Sequence, residues 1–172
     1  MKREKQIIES KDMIKDALLD LLLKKQYYQI TISDLAKNAG ISRMTIYRHF
    51  NDIDAVFYYY FSGILATVKN ELSTIKNPTI SDLICVRFQV FKRYNLASIL
   101  KNDTQLISMM KIFAEASRKE FSDLLPSIHD DYLASFVSGG IDSITNKWIE
   151  DGMIKTPEEM TKKIMMIVKS II

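Results

Sequence analysis

Positions 42–50 read Ser-Arg-Met-Thr-Ile-Tyr-Arg-His-Phe, a dense run of basic, hydroxyl and aromatic side chains. Ile46 and Phe50 are four apart, the spacing of one helical face, which leaves Arg43, Met44, Thr45, Tyr47, Arg48 and His49 to face outward. Basic and hydroxyl groups suit phosphate oxygens, and the arginine fork also matches the O6 and N7 acceptors of guanine. Ser42 is placed to cap the helix, whose free N–H groups and partial positive charge favour an anion. The chemistry open to these residues is therefore recognition of a polyanion. A purely structural helix would carry more Glu, Gln or Ala on that face.

Presenting such a helix requires a support, and the residues just upstream supply it. Thr31 and Ser33 can begin a helix, Leu35 and Ala36 follow as its apolar positions, and Ala39-Gly40 ends it, because glycine accepts the positive φ of a helix terminus. Small Ala36 allows close helix approach, with Ile41 and Ile46 filling the space between. Helix, tight turn and helix within about twenty residues is the pattern of a helix-turn-helix, whose second member enters the DNA major groove. Residues 3–25 carry Ile7, Ile14, Leu18 and Leu21 on one stripe and are expected to brace the pair from behind. Tyr27 and Tyr28 follow in a connector and are expected to pack against this three-helix unit.

The same stretch resembles the N-terminal signature of the TetR-type transcriptional regulators: Thr31, Leu35-Ala36, Ala39-Gly40-Ile41-Ser42, Thr45-Ile46-Tyr47 and His49-Phe50 all stand in register. The resemblance covers about the first 60 residues. It implies phosphate contacts at Thr31, Thr45, Tyr47 and His49, and base contacts at Ser33, Arg43 and Met44. With Ser42, Arg48 and Asn51, these form the expected DNA-binding set. One position departs. Family members usually carry a lysine at the start of the next helix, where this chain has Ile53. Either Asn51 substitutes weakly there, or non-specific affinity is lower.

Composition bounds the remainder. Of 172 residues, 47% are apolar and 26% charged, with five glycines and three prolines, which favours an all-α fold over a turn-rich β fold. The net charge of +3 is unevenly spread: residues 1–50 hold ten Lys/Arg against six acids, leaving 14 against 15 in the rest. Positive charge is gathered where the polyanion would bind. Cys85 is single and sits in an apolar stretch, so it reads as a structural thiol. Acids interrupt the N-terminal apolar positions, unlike a signal peptide, and the longest uncharged run, 55–68, is too short for a membrane span of about 20 residues. A cytoplasmic protein without membrane contact is expected. No phosphate-binding loop, dinucleotide glycine motif or nucleophile motif appears, so the chain is not expected to be an enzyme or to need a cofactor. His129-Asp130-Asp131 could hold a metal, but acids at a helix start are ordinary caps, and no metal site is assigned.

The expected domains are a helix-turn-helix unit over 1–50 and a helical effector-binding and dimerisation body over 51–172, about nine helices in all. A long helix near 53–75, aromatic at its start, is expected to join them mechanically, ending before Pro78. Further helices are expected near 80–96, 103–123, 130–150 and 157–171. The middle ones offer Phe88, Phe91, Tyr94, Met109, Phe113 and Phe121 as candidate lining for an unidentified small-molecule effector, with simple core as the competing reading. Ser135, Ser138, Gly139, Gly140 and Ser143 sit close together in one helix, and interior glycines cost about 1 kcal/mol each, so close approach of another backbone is expected there. With Met160, Ile164, Ile167, Val168 and Ile171 they form the expected homodimer interface, in line with family members that dimerise through their last two helices. Ser138-Gly139-Gly140, Trp148-Ile149 and Gly152 also resemble, more loosely, a branch linked to dihydroxyacetone kinase operons, some of which act with a kinase-like partner. The expectation is a ligand-responsive repressor on a palindromic double-stranded DNA operator. The competing class is a protein-interaction coactivator of a metabolic kinase built on the same fold.

Overall fold

The computed structural model describes residues 2–100, 103–116 and 131–170. Among these the chain is all-α, with no strand. Helices α1 (Lys2–Leu22), α2 (Ile32–Ala39), α3 (Arg43–His49) and α4 (Ile53–Ser73) are followed by α5 (Ile80–Arg93), α6 (Leu96–Leu100), α7 (Thr104–Ala116), α8 (Asp131–Glu150) and α9 (Pro157–Lys169). A 3-10 turn at Tyr27–Gln29 joins α1 to α2. The chain divides into two compact units, Met1–Gly63 and Ile64–Ile172. That division falls inside α4 and not near residue 50. Val56, Phe57 and Tyr60 on its first turns are buried side chains of the first unit.

In the first unit α1 packs on α2 and α3, and α2 on α3. Ile14, Leu18, Leu35 and Ile46 are all fully buried, one apolar stripe from each helix. The second unit is organised by α5 and α9, which pack along each other, with α6 and α7 each meeting α8. Helix boundaries follow local chemistry. Thr79 caps α5, accepting from the Asp82 amide at 3.3 Å while its own amide donates to the Asp82 carboxylate at 2.9 Å. Thr156 and Glu159 repeat that reciprocal cap at α9, with Pro157 at the first helical position. Gly152, at φ +80°, closes α8.

Two boundaries differ from the sequence expectation. The helix expected to run through residue 96 stops at Arg93, because Asn95 adopts φ +50°, and the short α6 starts afresh after it. α7 is described only to Ala116; Phe121, Pro126, His129 and Ile171 lie outside the described residues. No described helix is long and apolar enough to cross a membrane.

Candidate nucleic-acid interface

The turn between α2 and α3 is fixed by hydrogen bonds that the sequence makes available. Gly40 takes φ +66°, and the Ile41 amide donates back to the Ala36 carbonyl at 3.0 Å, closing α2. At the other end of α2, Thr31 Oγ1 accepts from the Asp34 amide at 3.1 Å, and the Thr31 amide donates to the Asp34 carboxylate at 2.9 Å. Lys25 Nζ reaches the same carboxylate at 2.8 Å. Lys25, and then the Thr31 hydroxyl and amide, hold the Asp34 carboxyl well below the usual carboxylate range. Ser42 Oγ accepts from the Thr45 amide at 3.1 Å and lies 2.9 Å from Thr45 Oγ1, so α3 starts on a serine cap as expected.

With that frame set, α3 turns one buried side chain inward and the rest outward. Ile46 is fully buried, whereas Met44 is 72% and Tyr47 51% exposed. Arg43 and Arg48 are exposed, and Thr45 and His49 are half-buried. Thr31, Ser33, Ser42 and Asn51 are exposed as well. All ten residues expected to contact DNA therefore have accessible side chains within one compact unit. Among them, Thr31 and Ser42 engage their hydroxyls in caps and so shape the helix termini. Asn51 does not cap α4. Asp52 does, its carboxylate accepting from the Ala55 amide at 2.7 Å.

The support behind α3 is aromatic. Phe50 and Tyr59 meet edge to face at 5.6 Å, and Lys11 Nζ lies over both rings at 5.6 and 5.5 Å. Tyr59 donates to Asp12 at 3.3 Å. Tyr27 is buried and its hydroxyl donates to Asp54; burial first, then Asp54, push its ionisation far above the ordinary phenol range. Tyr28 breaks with expectation: it is 75% exposed and does not pack into the unit. The two adjacent tyrosines point apart because the 3-10 turn rotates successive side chains by about a third of a turn. Sequence alone held no signal for which would be buried.

In the second unit the expected effector and dimer residues separate by burial. Phe88 is fully buried and meets Trp148 edge to face at 4.7 Å, while Phe91 and Met109 are buried too. Trp148 Nε1 donates to the Lys155 carbonyl at 3.0 Å. Tyr94 is exposed, its hydroxyl 3.2 Å from that of Thr67, and Phe113 is half-buried. Met160, Ile164 and Val168, expected at a dimer interface, are buried within this unit on α9, the helix that packs along α5: an amphipathic terminal helix spends its main stripe on its own core. Ser135, Gly140, Ser143 and Ile167 are exposed, and Ser138 and Gly139 half-buried. Around the position of a Cβ at Gly139 or Gly140 there is nothing within 4 Å, so the close approach expected there is not made within the described chain. Arg87 on α5 and Asp142 on α8 form an ion pair at 2.7 Å, with the guanidinium 5.4 Å from the Phe91 ring centre.

Comparison with known proteins accords with this architecture. Residues 14–60 match the family model of bacterial regulatory proteins, tetR family, and residues 81–170 match that of a transcriptional regulator C-terminal region. A 40-residue stretch is 52% identical to the HTH-type transcriptional regulator AlkX of Mycobacterium tuberculosis (strain ATCC 25618 / H37Rv), covering 23% of this chain and 19% of that relative. The match thus spans about a fifth of AlkX's length. Three solved structures share the fold: a TetR transcriptional regulator from Streptococcus agalactiae 2603V (TM-score 0.68, 18% identity, 98% of each chain), the fatty acid degradation regulator FadR from Bacillus halodurans (0.67, 16%, 92% of this chain and 94% of that one) and the dihydroxyacetone kinase operon activator DhaS (0.65, 18%, 95% and 96%). At these identities the structures establish the fold. The family models together cover both units, and the chain is a DNA-binding transcriptional regulator of the TetR family.

Proposed function

We infer that the protein is a ligand-responsive repressor that binds a palindromic operator as a homodimer. The observation that carries this reading is the outward face of α3, where Arg43, Met44, Tyr47 and Arg48 are all exposed on a helix held by a single buried anchor, Ile46. Arg43 would read a guanine edge, and Tyr47, Thr45 and His49 would donate to flanking phosphates. The exposed face of α8, with Tyr132 at 90%, Phe136 at 64%, Gly140 and Ser143, supports a second copy as partner. Its interior glycines leave room for a neighbouring backbone that the described residues do not supply. Two-fold symmetry in the protein then calls for two half-sites in the DNA.

The effector is a small molecule bound in the second unit. Phe88, Phe91 and Met109 are occupied in the core, which leaves Tyr94 and Phe113 as the candidates it can reach among the described residues. α4 runs unbroken from Ile53 to Ser73, contributing to both units, which supports effector binding as the input to DNA release. The test is fluorescence anisotropy with the DNA upstream of the protein's own gene beside a scrambled duplex, at two salt concentrations. Tight, sequence-selective and salt-sensitive binding is expected. Equal affinity for both duplexes would overturn the operator reading, and binding to neither would favour a protein partner.

A further inference from the structure

Beside α3 the first unit holds an open cleft of about 330 Å³, and its lining is unusual for a surface that meets DNA. Tyr28, Tyr47, Asn51 and Ile53 line it together with Asp52 and Asp54, and no Lys or Arg is among the lining residues. Ile53 stands at the first residue of α4, half-buried, so no ammonium group projects there. Both carboxylates are engaged locally, Asp52 by the Ala55 amide and Asp54 by the Tyr27 hydroxyl. What the cleft offers a ligand is an apolar floor with phenol and carboxamide donors, and Tyr28 presents 75% of its surface from a hydrogen-bonded 3-10 turn. Its volume admits a sugar ring. Through Tyr47 the cleft is continuous with the outward face of α3.

We propose that this cleft receives one sugar–phosphate unit of the DNA backbone and that Tyr28 is a backbone-contact residue, its hydroxyl donating to a phosphate oxygen where Ile53 supplies no charge. The proposal rests on the reading that α3 faces the DNA. The sugar packs on Ile53, and the phenols of Tyr28 and Tyr47 reach the phosphates on either side. Backbone contacts of this kind position the protein without reading sequence. They also leave a distinctive trace. A neutral donor releases no counterion from DNA, whereas each phosphate-neutralising lysine changes the slope of log affinity against log salt by about 0.9.

The experiment is a salt titration of the full chain by fluorescence anisotropy, on a labelled duplex from upstream of its own gene and on a scrambled one. Unaltered protein is compared with Tyr28→Phe, Ile53→Lys and the double variant. Tyr28→Phe is expected to weaken binding to both duplexes about tenfold with the salt slope unchanged, the scale of one hydrogen bond to a charged group. Ile53→Lys is expected to steepen the slope by about 0.9, and in its background the Tyr28→Phe loss should shrink to about twofold or less. The exposed phenol makes the Tyr28→Phe melting temperature a control expected to stay level. Affinity within twofold of the unaltered chain for Tyr28→Phe, or a loss that comes with a flatter slope, overturns the proposal alone. An unaltered chain that binds neither duplex overturns the interface reading and the proposal together.

Discussion

Arg43 and Tyr47 lie four residues apart on α3, and their different chemistries predict different defects. Removing a bidentate base reader costs about 1–3 kcal/mol and relaxes preference at one base position, so Arg43→Ala should lose far more on the operator than on random DNA. Tyr47→Ala removes a phosphate donor and should weaken all duplexes alike. Competition binding with single-base operator variants separates the two, and an equal loss on every duplex for Arg43→Ala would cancel its base-reading role. Asp34 makes a prediction in pH. Lys25 and Thr31 hold its carboxyl below the ordinary value, so the stabilisation is present above the ordinary carboxylate range near 4 and is lost as pH falls below it. Thermal melts should show a shallower acid-side decline for Asp34→Asn than for the unaltered chain. The caps at Thr31 and Ser42 were legible in the sequence because a capping hydroxyl is marked by its own residue type just before an apolar helix start. Tyr28 was not, since the choice of which neighbouring tyrosine faces solvent is made by the turn that carries them.

At the scale of elements, local chemistry again marks what could be read. Gly40, Gly152, Thr79 and Pro157 each announce a helix boundary through a backbone requirement that few other residues meet. The stop at Tyr94-Asn95 was missed because a single asparagine in the left-handed region leaves the apolar periodicity on either side intact. Tertiary partners were harder still. An amphipathic stripe says that a helix face is covered and does not say by what, which is why Met160, Ile164 and Val168 read as a dimer face and lie in the core of their own unit. The same ambiguity attends Phe88. Its full burial against Trp148 predicts that Phe88→Ala destabilises the fold by about 3–5 kcal/mol in urea melts. A stable Phe88→Ala protein would return this residue to the effector site. Asp142→Ala should cost about 1.5–3 kcal/mol by the same measurement, because Arg87 would keep its charge in a mostly buried place without its partner.

For the whole molecule the decisive quantity is copy number, because an operator with two half-sites rewards two linked reading heads over one. Linking two binding events can raise overall affinity by about 10²–10⁴ with no new contact to DNA. If α8 supplies the contact between copies, Phe136, 64% exposed on its outer face, is the side chain whose loss separates dimerisation from folding. Phe136→Glu buries no charge in the monomer, so its helical circular dichroism should match that of the unaltered chain, while a like charge on each side of a two-fold axis opposes association. Sedimentation equilibrium should then give twice 19.9 kDa for the unaltered chain and 19.9 kDa for the variant, with operator affinity falling at least a hundredfold. Binding to a single half-site should be unchanged, because the α3 face is untouched. A Phe136→Glu protein that remains dimeric would move the contact to other surfaces of the second unit, such as that around Ile167 and Met166. An unaltered chain of 19.9 kDa at micromolar concentration would instead remove the basis for a palindromic operator altogether.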